Sequence, residues 1–183
     1  STLIFGYYFG EGRYIQDSIR FDANGHALWT RDSSLAEGLY LFLLPKGETV
    51  DLLIGKEQQL SYSLDVANPH ETQKVEGGGV TGDFLKYQRF MHEMQQKNEQ
   101  LRKEDSVVRT LPKEAATTNK REEELKARFQ TLDEQVKAYQ KQLQEAHAGD
   151  VLGAFVRATT PVQIPEYTPA PEVKNVDSAR WMW

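Results

Sequence analysis

The spacing of apolar residues changes once along the chain. Up to Glu76 they come in short runs or alternate by two, and from Thr81 they recur about every 3.6 positions. The first regime is clearest from Gly38 to Val66. Tyr40, Leu41, Phe42, Leu43 and Leu44 form a run that stops at Pro45, and Val50, Leu52, Leu53 and Ile54 form another that stops at Gly55. Leu60, Tyr62, Leu64 and Val66 then alternate with polar neighbours. Unbroken runs suit strands buried on both faces, and alternation suits a half-exposed strand. Before this block, Leu3, Phe5, Tyr7 and Phe9 predict a first strand, and Glu11-Gly12 a hairpin turn. Ile15, Ile19 and Phe21 predict a second strand, with Asp17 on its apolar side as an edge position. Asp22-Ala23-Asn24-Gly25 is the strongest turn signal. Ala27-Leu28-Trp29 reads as a short third strand, Ala67-Asn68-Pro69-His70 as a loop, and Gln73 to Glu76 as a last edge strand.

About seven strands with no helix between them leave no room for parallel crossovers, so the pairing is expected to be antiparallel. The expected architecture is α+β. Residues 1–79 are an antiparallel β-sandwich, residues 80–158 a long helical hairpin, and residues 159–183 an extended Pro-rich tail leading to a further C-terminal domain. Gly77-Gly78-Gly79 marks the change of regime. It lacks the Gly-Lys-Ser/Thr signature of a phosphate loop and reads as a flexible joint.

In the helical part, Thr81 is the expected N-cap, and Phe84, Tyr87, Met91, Met94 and Leu101 share one face, the two methionines as core filler. Glu104 to Thr118, interrupted by Pro112, reads as a loop with room for one short helical piece. Asn119 with Glu122 resembles a capping box. From Leu125 through Phe129, Leu132, Val136, Tyr139 and Leu143 to Ala146 an apolar seam follows. About three heptads is short for a free coiled coil, which favours folding back on the first helix over pairing with another chain. His147 suits the last turn as a cation, Gly149 is a stop, and Val151 to Val156 is one more turn that packs underneath. Pro161, Pro165, Pro169 and Pro171 exclude helix and central strand beyond Thr159.

The 183 residues carry a net charge of −5 with both signs interspersed, which argues against a dedicated nucleic-acid surface. No apolar run reaches membrane-spanning length. The sequence contains no cysteine, so thiolate catalysis, disulfides and cysteine zinc sites are excluded within it, and an oxidising compartment fits. His26, His70, His92 and His147 show no ligand spacing, and no nucleophile elbow is present. No catalytic, cofactor-binding or metal-binding residue can be assigned, and no cofactor is expected. Tyr7, Tyr8, Phe9, Tyr14 and Trp29 are candidates for an aromatic sugar-binding face, against ordinary packing with scattered surface rings.

Across nearly the full length, loose motifs occur in one order. They are Asp17-Ser18-Ile19, Asp22-Ala23-Asn24-Gly25, Leu35-Ala36-Glu37-Gly38-Leu39-Tyr40 with Pro45, and Leu52-Leu53-Ile54. Then come Gln58-Gln59-Leu60-Ser61-Tyr62, Gly82-Asp83-Phe84-Leu85-Lys86-Tyr87, Ile164-Pro165-Glu166 and the final Asp177-Ser178-Ala179-Arg180-Trp181-Met182-Trp183. This arrangement resembles the N-terminal region, of domains of unknown function, in Bacteroidetes envelope proteins that end in a thioredoxin-like, thiol–disulfide interchange domain. The resemblance implies an exported, periplasmic or outer-membrane-anchored module, with any lipid anchor outside this chain. It implies a non-catalytic role in positioning, partner recognition or self-association. The implied partners are the thioredoxin-like domain of the same chain, an envelope protein, or a second copy. The family's Cys-x-x-Cys motif maps onto no residue here. The abrupt start in Leu3-Ile4-Phe5 and the stop at Trp181 and Trp183 lead to the expectation of a trimmed piece of a longer protein. The alternative function is a glycan- or small-ligand-binding module built on the aromatics above.

Overall fold

The computed structural model describes residues 2–111 and 116–161, with only the backbone described for 116–118. The Pro112 break and the tail beyond Pro161 therefore lie outside the described residues. Six strands and four helices follow in order: β1 (Thr2–Phe9), β2 (Gly12–Arg20), β3 (Gly38–Leu43), β4 (Thr49–Ile54), β5 (Leu60–Ser63), α1 (Pro69–Thr72), β6 (Lys74–Gly77), α2 (Val80–Val108), α3 (Ala116–Ala146) and α4 (Val151–Thr159).

The expected seven-strand sandwich does not form. Four strands make one antiparallel sheet in the order β2-β1-β3-β4, and β5 pairs only with β6 in a separate two-stranded sheet. Two causes are visible. Residues 27–29 are not a strand. Leu28 is 90% exposed, while Trp29 lays its ring edge-on against Phe5 and donates its indole N–H to Asp17 at 2.7 Å. A crossing loop thus covers part of the sheet where a strand was expected. The link from β4 to β5 is also no tight hairpin. Gln58 bonds across it to both backbone groups of Leu35 and to the Gly55 carbonyl, which turns the chain off the sheet edge. The second layer is then too small to close a sandwich.

The apolar runs of β3 and β4 are buried on both faces, by unlike layers. Register places Phe5 opposite Phe42, Tyr7 opposite Tyr40, and Tyr40 opposite Leu52 on one face. Trp29, Leu35, Leu60 and Tyr62 pack over that face. Leu53 points to the other face, where Phe84, Tyr87, Leu143, Leu152 and Val156 form the core beneath the helices.

The turn before α2 is sterically specified. Gly77, Gly78 and Gly79 all have positive φ, of 74°, 71° and 49°. A Cβ at Gly77 would stand 2.7 Å from the Gln59 carbonyl oxygen, and one at Gly78 would stand 2.8 Å from the Leu60 side chain. Three bare positions let β6 turn into the helix against β5. Gly79 is the N-cap, and Thr81 sits inside the first turn, 1% exposed, donating its hydroxyl to the Leu53 carbonyl at 2.7 Å. The expected cap is therefore a pin between helix and sheet. The expectation of no helix ahead of the triple glycine also fails, because Pro69 opens the single turn α1.

Helix α2 continues through Glu104 to Val108, where a loop was expected, and Val108 is buried at 8%. Helix α3 is already helical at Ala116, so Asn119 is an interior position and no cap. The two helices run antiparallel, with Tyr87 beside Gln140 and Glu104 beside Arg128. At 29 and 31 residues each is about 45 Å long, at about 1.5 Å per residue. Only the base meets the sheet and α4. Farther out the pair is held by Leu101, Val108 and Leu125, with Phe129 and Leu132 against them. Among the described residues no helix is long and apolar enough to cross a membrane.

Candidate interaction surfaces

No catalytic constellation was expected, and two features of the described surface stand out, a strip of aromatic rings and a groove. The five aromatic candidates separate. Tyr7 and Tyr14 stack with ring centroids 5.6 Å apart, and Phe9, 74% exposed, meets the edge of Tyr14 at 6.4 Å. Tyr14 lies opposite Tyr7 in the register, and its ring covers Gly12, where a Cβ would come within 2.8 Å. These three rings form one strip at the β1–β2 turn. Tyr8 does not join them. It points to the opposite face and donates to Asp51 at 2.8 Å. Burial first, and then the Asp51 carboxylate, push its hydroxyl up to about 12. Trp29 is also elsewhere, held by Phe5 and Asp17. The Trp29 N–H and then the Ser18 amide hold the Asp17 carboxyl below its ordinary value. Asp17 thus anchors the crossing loop, a role its reading as an edge position missed.

The second surface is a groove of ≈ 960 Å³ along one side of the α2–α3 arm. Its floor is apolar, with Met91, Met94, Phe129, Leu132 and Val136, and Gln95, Asn98 and Arg102 stand on the α2 wall. Periodicity placed the apolar members correctly on inward faces but treated them as filled core. Met94 is buried, whereas Met91, Phe129, Leu132 and Val136 are only half-buried. The missed signal is the polar run Gln95, Asn98, Arg102, which follows Met91 by one-turn steps on the same face.

At the base of the arm three helices meet at His147. Its Nδ1 lies 2.7 Å from Asp150 and its Nε2 3.6 Å from Asp83, at the start of α2. Asp150 caps α4, accepting from the amides of Leu152 and Gly153. Burial pushes its carboxyl up, but the bonds from His147 and those two amides outweigh this and hold it below the ordinary value. The close packing depends on Gly153, where a Cβ would stand 1.9 Å from the His147 carbonyl oxygen. His26, His70 and His92 do not approach this cluster in any hydrogen bond or ion pair found among the described residues, and no group of three or more metal-ligating side chains occurs among them.

No protein-family model, no curated protein and no solved structure matches the chain. The functional reading therefore rests on the two surfaces and on the residues that carry the resemblance. A smaller depression of ≈ 460 Å³ lies beside Ser63, Glu71, Lys74 and Arg89, and the Arg89 guanidinium in it donates to the Gln73 carbonyl.

Proposed function

We propose that this chain is a non-catalytic interaction module of an exported, envelope thioredoxin-like protein. Its partner is a C-terminal thioredoxin-like domain of the same chain, and the helical arm supplies the contact surface. The observation that supports this reading best is the arm itself. A helix pair that runs well past the sheet it stands on, with a part-apolar groove along one side, suits a lever or docking surface. Thiol–disulfide exchange requires a thiolate, and the sequence has no cysteine, so any such chemistry belongs to another domain. The context of that domain comes from the residue resemblance alone.

The test has two arms. Purified chain is expected to leave the rate of insulin reduction by dithiothreitol unchanged, and acceleration would remove the non-catalytic reading. The coding sequence after Trp183 is expected to hold a Cys-x-x-Cys motif in a βαβ pattern. A different domain there, or a stop codon, removes the thioredoxin context.

One observation favours a second reading. Tyr7, Tyr14 and Phe9 line up on one face, and sugar rings stack on such strips. A thermal-shift screen against oligosaccharides at millimolar concentration decides it, since a glycan-binding module must shift with at least one of them.

A further inference from the structure

We propose that the groove on the α2–α3 arm is the seat of a second copy of this chain, with the two arms laid antiparallel, face to face. The inference rests on the reading of the arm as a contact surface and adds what covers this side of it. The groove follows one face of α2 from Met91 to Arg109, a length of about 27 Å at about 1.5 Å per residue. Met91, Phe129, Leu132 and Val136 in its floor are only half-buried, so apolar area there still meets water.

The α2 face is complementary to itself when reversed. Gln95 and Asp105 stand at equal distances on either side of Gln100, and so do Asn98 and Arg102. A twofold axis at the level of Gln100 therefore sets Gln95 opposite Asp105 of the other copy, and Asn98 opposite Arg102. Each pair joins a donor to an acceptor. The Gln95 amide N–H groups meet the Asp105 carboxylate, and the Arg102 guanidinium meets the Asn98 carbonyl. Met91 falls opposite Arg109, whose methylene stem covers it. The charged residues of the lining are Arg102, Arg109, Asp105 and Asp133, two of each sign, and Arg109 already pairs with Asp105 at 2.7 Å. No like charges are opposed.

Helix α3 agrees with the same axis. Glu104 lies beside Arg128 and Tyr87 beside Gln140, so Phe129 and Leu132 straddle the level of Gln100. The axis brings Phe129 of one copy onto Leu132 of the other, which gives the contact an apolar centre and a polar rim. A parallel pair would instead set α2 against α3 of the other copy, with Arg102 against Phe129, and would lose both hydrogen-bonded pairs. A contact about 27 Å long and two helices wide, about 20 Å, covers about 540 Å² of each copy. The total of about 1,100 Å² clears the roughly 1,000 Å² that a specific interface needs and stays at the weak end of the range. The groove lies on one side of the arm, so the opposite side remains for the domain in cis.

The test uses the full chain. Sedimentation from micromolar to millimolar concentration is expected to show the mass rising toward twice that of the monomer. The chain has no native cysteine, so Gln95→Cys and Asp105→Cys each give a single thiol. Mixed and treated with a short bismaleimide, the two variants are expected to cross-link several-fold faster than either alone, because like positions stand about 15 Å apart along the arms. Asn98→Lys, at the rim, sets a second cation opposite Arg102 and is expected to weaken association several-fold. A chain that stays monomeric throughout overturns the proposal. So does cross-linking of either variant alone as fast as the mixture, since the copies then pair in another register, and so does association that Asn98→Lys leaves unchanged. A monomer leaves the in-cis reading standing, because that reading needs no second copy and fails instead on the coding sequence after Trp183.

Discussion

Asp150 does two things at the joint between α3 and α4. One carboxylate oxygen caps α4 through the amides of Leu152 and Gly153, and the other holds the His147 ring at 2.7 Å. Replacement by alanine leaves two amides at the helix start without their acceptor. Asp150→Ala is expected to lower unfolding free energy by about 1–2 kcal/mol in urea titration. Asp150→Asn retains a capping oxygen and removes the charge, so it separates capping from titration. The folded-state carboxyl titrates below its ordinary value. Its contribution to stability is therefore fully present above the unfolded aspartate value, about 3.9, and is lost as pH falls through the depressed folded value. The urea midpoint of the wild-type chain should thus fall more steeply below about pH 4 than that of Asp150→Asn. Parallel acid limbs would remove the assignment.

At the scale of elements, the arm and the body are held by different means. The body shares apolar clusters on both faces of the four-stranded sheet. Among the described residues the outer arm has one, around Leu101, Val108 and Leu125. The Glu104–Arg128 pair beside it is part-exposed at 36% and 53%, and water screens such a pair, so it adds little to holding the arm together. Leu125→Ala removes a side chain that is 5% exposed from the apolar cluster of that stretch. A loss of about 2–3 kcal/mol is expected, toward the low end for a buried leucine because two helices can close on the gap. Hydrogen exchange should quicken across the outer halves of α2 and α3 and leave the amides of β1, β3 and β4 unchanged. Uniform quickening would mean that arm and body unfold as one.

These elements differ in how far the sequence disclosed them. Period-2 alternation placed β1 and β2, unbroken apolar runs placed β3 and β4, which are covered on both faces, and the 3.6 period placed both long helices. The seam residues Leu125 and Leu143 are buried as their spacing requires. The misreadings arose where a single residue acts at long range. Ala27-Leu28-Trp29 has strand-like composition, but Trp29 is fixed by Phe5 and Asp17 and pairs with no strand. Thr81 looked like a cap and bonds instead to Leu53, a partner 28 positions away. Gln58 diverts β5 from the main sheet through Leu35, 23 positions back. Local pattern carries no record of such partners. The groove was illegible for a related reason, since periodicity shows which residues face inward and not whether the inward space is filled.

At the scale of the whole molecule, the arm is an addition to a body that completes its core without it. Leu53, Phe84, Tyr87, Leu143, Leu152 and Val156 close the helical face of the sheet, and all lie outside residues 95–136. Met94 and Val136 both line the groove, so helices cut at these points end side by side, about 8–10 Å apart. Replacing 95–136 by a short Gly-Ser link should therefore leave a chain that still unfolds in one cooperative step. The base of α2 keeps its pin from Thr81 to Leu53, and α4 keeps its cap. The loss should show in the denaturant slope, which scales with the surface exposed on unfolding, more than in the thermal midpoint. If the shortened chain has no cooperative transition, the outer arm is part of what folds the sheet. Reading it as a projecting surface for contacts is then wrong, whatever occupies its groove.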